Sequence, residues 1–364
     1  FMQYGLKAQP RKAAGFQAPE YGTFVHYVLE HVLRDEMFAQ TVLPGMEHED
    51  ARKRKLRRLT KRAVDRYAAE ELGGLEGQSP RFQYLFRRLL RSVQAVVDNV
   101  AEELLSSQFK PISFELGFGK GKGGEEPPLA PVELTCNGVT ISVTGFVDRV
   151  DGWEENGRLH LRVVDYKTGR KSFDLTEVWN GLGLQMLLYL FTLEEKGRAL
   201  YGLPVEGDGV LYLPAREAVI RGSRAMSDEE LRKKVDKELT RSGLVVDDRR
   251  VLDAMEARGE NGYRFLPLRV SRSTGEITGE ALASAEQLGR LGRHVQRVLE
   301  DICRELAGGS IAADPFWRGP EKNACRFCDY AAACHFEPGH GGDCRRWLPH
   351  VNAEEFWEQI KGET

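Results

Sequence analysis

The first hundred or so residues predict a helical region. Apolar positions recur at three- and four-residue spacing over residues 21–38, in the basic segment that follows, and over residues 79–107. Ser79 and Pro80 fit the N-cap and first-turn positions of the last of these helices.

The pattern then changes to strands, which cover PISFELGFG, VELTCNG, VTISVTGFVDRVDG and RLHLRVVDYKTG. Asn137-Gly138 predicts a hairpin turn between the second and third segments, and Glu155-Asn156-Gly157 predicts a turn before the fourth. The simplest arrangement of the last three is a set of consecutive antiparallel strands. The segment TEVWNGLGLQMLLYLFTLEEKG then predicts one amphipathic helix, which crosses over to a further strand, GVLYLP.

The rest of the chain has weaker patterns. Residues 226–243 predict a capped helix, residues 263–278 a hairpin, and residues 279–309 a long helix. A cysteine-containing tail with short helical pieces follows. The predicted fold class is therefore α/β, with a helical N-terminal region and a mixed sheet flanked by helices.

Composition narrows the class of protein. The chain is 41% hydrophobic and 29% charged, which is typical of a soluble globular protein. Its longest apolar runs are too short to span a membrane, and its first residues lack the layout of a signal peptide. We therefore expect a cytoplasmic protein with no membrane partner. Because the chain starts at Phe1, we also expect it to be part of a longer protein.

The net charge of −3 is not that of a general nucleic-acid binder, so any DNA contact requires local positive charge. Two segments provide it. Residues 51–62 are strongly basic, and residues 81–91 combine arginines with aromatic side chains. A solvated helix face is an equally good interpretation of either segment alone.

Asp148, Asp165 and Lys167 form the main chemical candidate. Asp148 lies near the end of one predicted strand, and Asp165 and Lys167 lie near the end of the next. Residues two apart on a strand share a face, so an antiparallel hairpin groups two carboxylates and an ammonium. Carboxylates bind Mg2+ or Mn2+, which promote phosphodiester hydrolysis, and a lysine can position water or stabilise developing charge. A surface ion pair is the alternative for this spacing alone.

The runs GFVDRVD and VVDYKTG, the helix segment QMLLY and the upstream GTFVHYVLE resemble the RecB-like branch of the PD-(D/E)XK nuclease superfamily. The resemblance implies a restriction-endonuclease-like core. It implies metal ligation by His26, Asp148 and Asp165, although His26 alone would be taken for an ordinary helix histidine. It also implies that the backbone carbonyl of Tyr166 is a metal ligand and that Lys167 is catalytic.

The same resemblance assigns two further positions. Gln185 and Tyr189 match a Q-x-x-x-Y helix motif that supports the site and contacts DNA, and they share one helix face. Glu115 occupies a family-like position, for which we expect a structural or supporting role. The implied segments are a helical part carrying His26, a nuclease core, a helical and hairpin elaboration, and an iron–sulfur tail, at residues 1–110, 111–215, 216–310 and 311–364.

Three of the six cysteines have metal-ligand spacing. Cys325, Cys328 and Cys334 form C-x2-C-x5-C, a pattern that suits zinc or an iron–sulfur cluster. On spacing alone Cys344 could complete a zinc site. The remaining two, Cys136 and Cys303, are typical of small buried hydrophobic residues.

The resemblance favours iron for this site. The nuclease domain of AddB-type helicase–nuclease subunits carries a [4Fe–4S] cluster on the same spacing, with its fourth cysteine upstream of the nuclease core. For this chain that ligand would lie before Phe1. The cluster would join the two ends of the domain in a structural role.

The predicted function is a Mg2+- or Mn2+-dependent deoxyribonuclease. It would act on single-stranded DNA or DNA ends, in an exonucleolytic mode, as part of a bacterial helicase–nuclease in recombinational repair. The predicted partners are DNA and an AddA-type helicase–nuclease subunit. The alternatives are a CRISPR-adaptation-type iron–sulfur exonuclease, a relative of the eukaryotic Okazaki-processing helicase–nuclease, and a catalytically silent DNA-binding scaffold.

Overall fold

A computed structural model describes residues 2–3, 5–9, 18–43, 48–119, 121, 128–223, 226–260 and 262–362 of the chain. In chain order its helices are α1 Ala18–Leu33, α2 Glu36–Thr41, α3 Glu49–Leu72, α4 Pro80–Leu105, α5 Leu175–Trp179, α6 Gln185–Tyr201, α7 Asp228–Leu239, α8 Arg249–Met255, α9 Ala285–Ala307, α10 Ala331–Cys334 and α11 Ala353–Gly362. The strands are β1 Lys110–Phe118, β2 Val132–Cys136, β3 Val139–Val143, β4 Gly145–Glu155, β5 Arg158–Lys167, β6 Val205–Pro214, β7 Ser242–Val246, β8 Arg269–Val270, β9 Ile277–Thr278, β10 Leu282–Ala283, β11 Phe316–Trp317 and β12 Arg346–Trp347.

A mixed sheet of six strands organises the fold, in the order β1-β4-β5-β6-β7-β10. Strands β5 and β6 are parallel and are connected through α6, as the predicted crossover requires. Strands β1, β4 and β5 are antiparallel neighbours, and so are β6 and β7. The observed α/β fold with a mixed sheet flanked by helices confirms the predicted fold class.

The sheet lies between two hydrophobic cores. One core joins α1–α4 to one face of the sheet, where it includes Val164, Tyr166 and Leu213. The other joins α6, α8, α9 and α11 to the opposite face, where it includes Leu161 and Val163. Because strand side chains alternate between faces, Asp165 lies on the same side as Val163, and Tyr166 on the side of α1. Each core contains residues from more than one of the four segments predicted from the sequence. The cores therefore do not test the boundaries of those segments, which remain a prediction.

The predicted set of three consecutive antiparallel strands is wrong in one respect. The Asn137-Gly138 turn forms, with both residues at positive φ, but the strand after it ends at Val143 and a new one starts at Gly145. The β2-β3 hairpin is a separate two-stranded sheet. Strand β4 has β1 on one edge and β5 on the other, so no edge of β4 remains for β2, which pairs with β3 instead.

The single helix predicted over residues 176–197 is two helices. Gly181 and Gly183 have φ values of 75° and 66°, a left-handed conformation that interrupts helix geometry and favours glycine. Asp174 caps the short α5 by accepting from the backbone N–H groups of Thr176 and Glu177. The break puts Gln185 at the start of α6.

The C-terminal half confirms the capped helix as α7, the hairpin as β8-β9 and the long helix as α9. Ser227 and Ser284 each form a capping box at the start of their helix. The sequence pattern did not identify β7 and β10, which extend the main sheet. Across the described ranges, no helix combines the length and the apolar character needed to span a membrane.

Candidate active site

Three neighbouring strands bring three carboxylates to one region of the sheet. The β1–β4 register pairs Phe114 with Arg149 and skips the next position, where Glu115 and Asp148 stand opposite each other. The β4–β5 register ends at the pair Arg149 and Val164, so Asp148 and Asp165 are the next residues on each strand. The predicted grouping of Asp148 and Asp165 by an antiparallel hairpin is therefore present.

His26 reaches this region from α1. Its Nδ1 lies 3.5 Å from Asp148 Oδ1 and 3.9 Å from Glu115 Oε1. Within the part of the chain that the structure describes, His26, Glu115 and Asp148 are the one group whose potential metal-ligand atoms all lie within 4.8 Å of one another. An imidazole and two carboxylates are ligands that divalent cations such as Mn2+ accept. Burial disfavours the charged imidazole, but the hydrogen bond and the charge of Asp148 outweigh it and raise the pKa of His26 above its ordinary value.

The backbone of Tyr166 ties these groups together. Its N–H donates to Asp148 Oδ2 at 2.8 Å, and its carbonyl oxygen lies 3.1 Å from Nε2 of His26. Both contacts fix the orientation of a candidate ligand. The Tyr166 carbonyl, which the resemblance implies as a metal ligand, therefore lies beside the His26 ring.

Asp165 and Lys167 form a close pair beside this cluster. Lys167 Nζ lies 2.5 Å from Asp165 Oδ2, and the Asp165 side chain is only 6% exposed. Burial and the neighbouring Asp148 carboxylate raise the pKa of Asp165 to about 6, although Lys167 opposes the shift. A buried carboxylate that resists ionisation is typical of a functional site, where a cation would compensate its charge.

Glu115 takes a more central position than its expected supporting role. It is a non-glycine residue with φ of 45°, a conformation that costs free energy and is common at functional sites. This backbone shape interrupts the β1–β4 ladder at Glu115, and the side chain lies beside His26 and Asp148. A partial signal was present in the segment FELGF, which is a strand with an acidic residue among apolar ones. The left-handed backbone had no sequence signal.

Gln185 and Tyr189 are in contact on α6. Gln185 Nε2 donates to the Tyr189 hydroxyl at 2.6 Å, while Tyr189 itself is 5% exposed. The Tyr189 ring packs edge-on against Phe118, and a Cβ at Gly145 would lie 2.9 Å from its hydroxyl. The close approach of Tyr189 to the start of β4 therefore requires glycine at position 145.

Beside the Tyr166 ring lies a cluster of buried charged side chains that the sequence analysis did not predict. Arg149 and Arg162 both bind Asp151, at 2.8 and 2.9 Å. Glu103 binds Arg241 at 2.8 Å and lies within 4 Å of the other two arginines. The Arg149 guanidinium lies 5.8 Å from the centre of the Tyr166 ring. This ion cluster joins α4 to the sheet at the strand positions next to the candidate site.

The predicted metal-binding cysteines lie in the C-terminal tail. Cys325 is half-buried, and Cys328, Cys334 and Cys344 are exposed. Burial and the neighbouring thiols of Cys328 and Cys334 raise the pKa of Cys325. Nearby, the Tyr330 hydroxyl donates to the backbone carbonyl of Ala8 at 2.7 Å, which connects the tail to the first residues of the chain.

Comparison with known proteins agrees with this arrangement. The sequence profile described as the PD-(D/E)XK nuclease superfamily matches residues 1–335. The chain belongs to the PD-(D/E)XK nuclease superfamily. The predicted resemblance to this superfamily is therefore confirmed. The matched residues include the carboxylates on adjacent strands and the D-Y-K sequence at Asp165–Lys167.

Curated relatives of this superfamily chain carry one name. A protein of Clostridium novyi (strain NT) is 31% identical over 366 residues, which cover 100% of this chain and 31% of that protein. Proteins of Acetivibrio thermocellus and Clostridium acetobutylicum are each 30% identical, over 100% of this chain and 31% and 30% of their own lengths. All three are named as a subunit of an ATP-dependent helicase/deoxyribonuclease. The chain spans about a third of the length of these relatives.

Proposed function

We propose that this chain is a metal-dependent deoxyribonuclease that hydrolyses phosphodiester bonds of single-stranded DNA from its ends. The observation that carries the proposal is the cluster of His26, Glu115 and Asp148 next to the Asp165–Lys167 pair. Membership of a nuclease superfamily and the deoxyribonuclease name of the relatives support the reaction class.

The residues present fit a divalent cation such as Mg2+ or Mn2+. The ligand atoms of His26, Glu115 and Asp148 already lie within 4.8 Å of one another, and Asp165 adds a buried carboxylate on the next strand. A cation held there would polarise the scissile phosphate and offset the charge that develops in the transition state. Tyr166 would keep His26 and Asp148 in place through its backbone N–H and carbonyl.

Lys167 would supply the cationic side chain of the reaction. Asp165 holds its ammonium at one position, and the Lys167 side chain remains 34% exposed. It can therefore reach both the site and an incoming strand. In this position the ammonium would bind a phosphate oxygen and stabilise it as negative charge accumulates.

The direct test is cleavage of a fluorescent single-stranded oligonucleotide by the Lys167→Ala variant with Mg2+ or Mn2+. We expect loss of cleavage, by about a hundredfold or more if Lys167 stabilises transition-state charge. Lys233→Ala is the matched control, because Lys233 is an exposed lysine paired with Glu229 on α7. Equal cleavage by the Lys167→Ala, Asp165→Ala and parental chains would contradict the proposal.

Metal binding has its own readout. Mg2+ or Mn2+ should raise the melting temperature of the chain, and Asp148→Ala should remove the increase. A chain that gains stability from metal but cuts no DNA would be a catalytically silent scaffold.

Circular single-stranded DNA should resist cleavage if the chain needs an end, whereas rapid nicking of the circle would contradict the exonucleolytic mode.

We further propose that the chain works as the nuclease part of a bacterial helicase–nuclease that processes DNA ends for recombinational repair. The support is the name of its relatives, which includes both activities. The expected partner is a large AddA-type helicase–nuclease subunit from the same genome, and co-expression should give a stable complex. Genes for CRISPR proteins beside this one, with no such helicase gene, would favour the alternative adaptation-type exonuclease.

Cys325, Cys328 and Cys334 are proposed to hold a [4Fe–4S] cluster. Within the described residues, the sulfur atoms of these three cysteines do not all lie within 4.8 Å of one another. A single zinc ion at about 2.3 Å from each thiolate would need them about 3.8 Å apart. Each thiolate of a cluster can bind a different iron, so a looser arrangement suffices. The Tyr330 contact with Ala8 supports a structural role that holds the two ends of the chain together.

Iron and sulfide analysis of anaerobically purified protein tests this assignment. Cys328→Ser should lose iron, and Cys136→Ser, far from the motif in sequence, should keep it. If Cys344→Ser keeps iron as well, Cys344 is not the fourth ligand. Zinc without iron in the parental protein would overturn the cluster and leave the nuclease proposal standing.

A further inference from the structure

A groove of about 560 Å3 lies between α1, α4 and the segment after β6. Its side chains are aromatic, aliphatic and basic, and they include Tyr21, Phe82, Phe86, Leu89, Arg88 and Arg216. We refer to it as the aromatic groove. Its volume lies in the range of about 300–1,000 Å3 that accommodates a small organic group.

The aromatic walls of the groove are held in place by packing. The Tyr21 hydroxyl is hydrogen-bonded to Ser92 Oγ at 2.9 Å. Phe82 and Phe86 lie 6.2 Å apart with nearly parallel rings, and Phe86 packs on Phe24 in the core. Phe86 is 4% exposed and thus mainly structural, while Phe82 is half-buried and presents part of its ring to the groove. Rigid aromatic faces bind a planar ligand at a low entropic cost.

The aromatic groove adjoins the candidate active site. The Ala215 N–H donates to the Lys167 carbonyl at 2.9 Å, and Arg216, the next residue, lines the groove. Arg216 also lines a second cleft of about 300 Å3, together with Lys167, Arg170 and other residues. Arg216 therefore lines both clefts, and it is where a strand bound at Lys167 would enter the groove.

The charges along this path favour a phosphate-bearing ligand. Arg88 and Arg216 line the groove, and Lys167 and Arg170 line the adjoining cleft. Three acidic groups oppose these four basic ones, since Glu217 lines the groove, Glu238 binds both Arg170 and Arg216, and Asp165 pairs with Lys167, so one positive charge remains in excess. Exposed Arg87 and Arg91 lie on the same helix as Phe82. Aromatic faces with basic groups at their edges are the features that bind single-stranded nucleic acid.

We propose that the aromatic groove binds unpaired nucleobases of the strand whose phosphate is cut at Lys167. The inference rests on the proposed nuclease function and identifies the surface that would select its single-stranded substrate. Bases of an intact duplex are stacked and paired, so their faces are not available to Phe82 or Tyr21. The groove would therefore select single strands by stacking, and the arginines would hold the backbone.

The test is binding of fluorescein-labelled oligo-dT by the whole 364-residue chain, measured by anisotropy in EDTA with Lys167→Ala to prevent cleavage. Phe82→Leu keeps an apolar side chain and removes the ring. It should weaken binding of oligo-dT about tenfold, in the range measured for one base stacked on an aromatic ring. An abasic oligonucleotide of the same length should bind more weakly to the parental chain, and Phe82→Leu should not weaken it further.

Two controls define the result. Tyr84→Ala removes a 58% exposed aromatic residue of the same helix that does not line the groove, and it should leave binding unchanged. Phe82→Tyr keeps a ring, so it should bind oligo-dT like the parental chain. Unchanged melting temperatures would exclude misfolding as the cause.

Equal loss of oligo-dT and abasic binding in Phe82→Leu, or no loss of either, would overturn the base-binding proposal. A change of oligomeric state in Phe82→Leu would identify the groove as a self-association surface and also overturn it. These results are separate from failure of the nuclease proposal, because a Phe82→Leu chain that still cuts DNA and binds oligo-dT as tightly as the parental chain disproves the groove alone.

Discussion

Asp165 should destabilise the metal-free fold. The side chain is 6% exposed, and its pKa is raised to about 6 by burial and by Asp148. The folded state therefore binds more protons than the unfolded state between about pH 4 and 6. Stability must fall as the pH rises through this window, and the penalty is complete above about pH 6. Asp165→Asn removes the charge, keeps the shape and should remove the penalty.

The magnitude follows from the pKa. A change from the ordinary 3.8 to about 6 corresponds to about 3 kcal/mol, at about 1.4 kcal/mol per pKa unit. This value already includes the opposing attraction of Lys167. The variant loses that ion pair and gains an amide that must find its own hydrogen bonds. We therefore expect Asp165→Asn to stabilise the chain by about 1–3 kcal/mol at pH 8 and by close to zero at pH 4.

Urea denaturation in EDTA at several pH values measures the difference between the variant and the parental chain. Asp65→Asn is the matched control, since Asp65 pairs with Lys61 at 2.6 Å but is 58% exposed. Its effect should stay below about 1 kcal/mol at every pH. Added Mn2+ should reverse the order at pH 8, because the parental chain gains binding free energy through Asp165. An Asp165→Asn variant that is less stable at pH 8 than the parental chain in EDTA would refute the reasoning.

Two further substitutions examine the surroundings of the site. Glu103→Ala removes the carboxylate shared by three buried arginines and should cost about 3–5 kcal/mol in urea denaturation, whereas Glu102→Ala, 41% exposed, should cost less than about 1 kcal/mol. Similar losses for both variants would contradict the buried cluster. Gly145→Ala would put a Cβ 2.9 Å from the Tyr189 hydroxyl and should lower kcat/KM for DNA cleavage about 10- to 100-fold. Gly289→Ala, on α9 with open space around it, should leave cleavage unchanged, and full activity of Gly145→Ala would exclude a role for this close contact.

Local sequence patterns correctly predicted the turns and helix starts that depend on a few adjacent residues. The Asn137-Gly138 and Asn156-Gly157 turns formed because these residues adopt positive φ readily. The capping residue Ser79 correctly indicated where α4 starts. Longer patterns failed where the partner of a segment mattered. No local signal indicated that β1, rather than β2, would occupy the edge of β4.

The candidate active site also combines features set by local sequence with features set by the fold. The spacing of Asp165 and Lys167 put them on one face of one strand, and their 2.5 Å contact follows from that spacing. Their relation to His26 depends on how α1 packs on the sheet, more than a hundred positions away in sequence. Family resemblance supplied that link before the structure did, but it left Glu115 in a supporting role.

Most of the helices and strands could therefore be predicted from the chain alone, because they depend on short-range chemistry and periodicity. The superfamily was indicated by the resemblance of the motifs to known nucleases. The meeting of Glu115, Asp148 and Asp165 on adjacent strands needed the folded structure, since register between distant strands is set by the whole sheet. The aromatic groove needed it too, because it is formed by α1, α4 and the segment after β6 at once. The raised pKa of Asp165 has the same origin, because burial and a neighbouring carboxylate exist only in the folded chain.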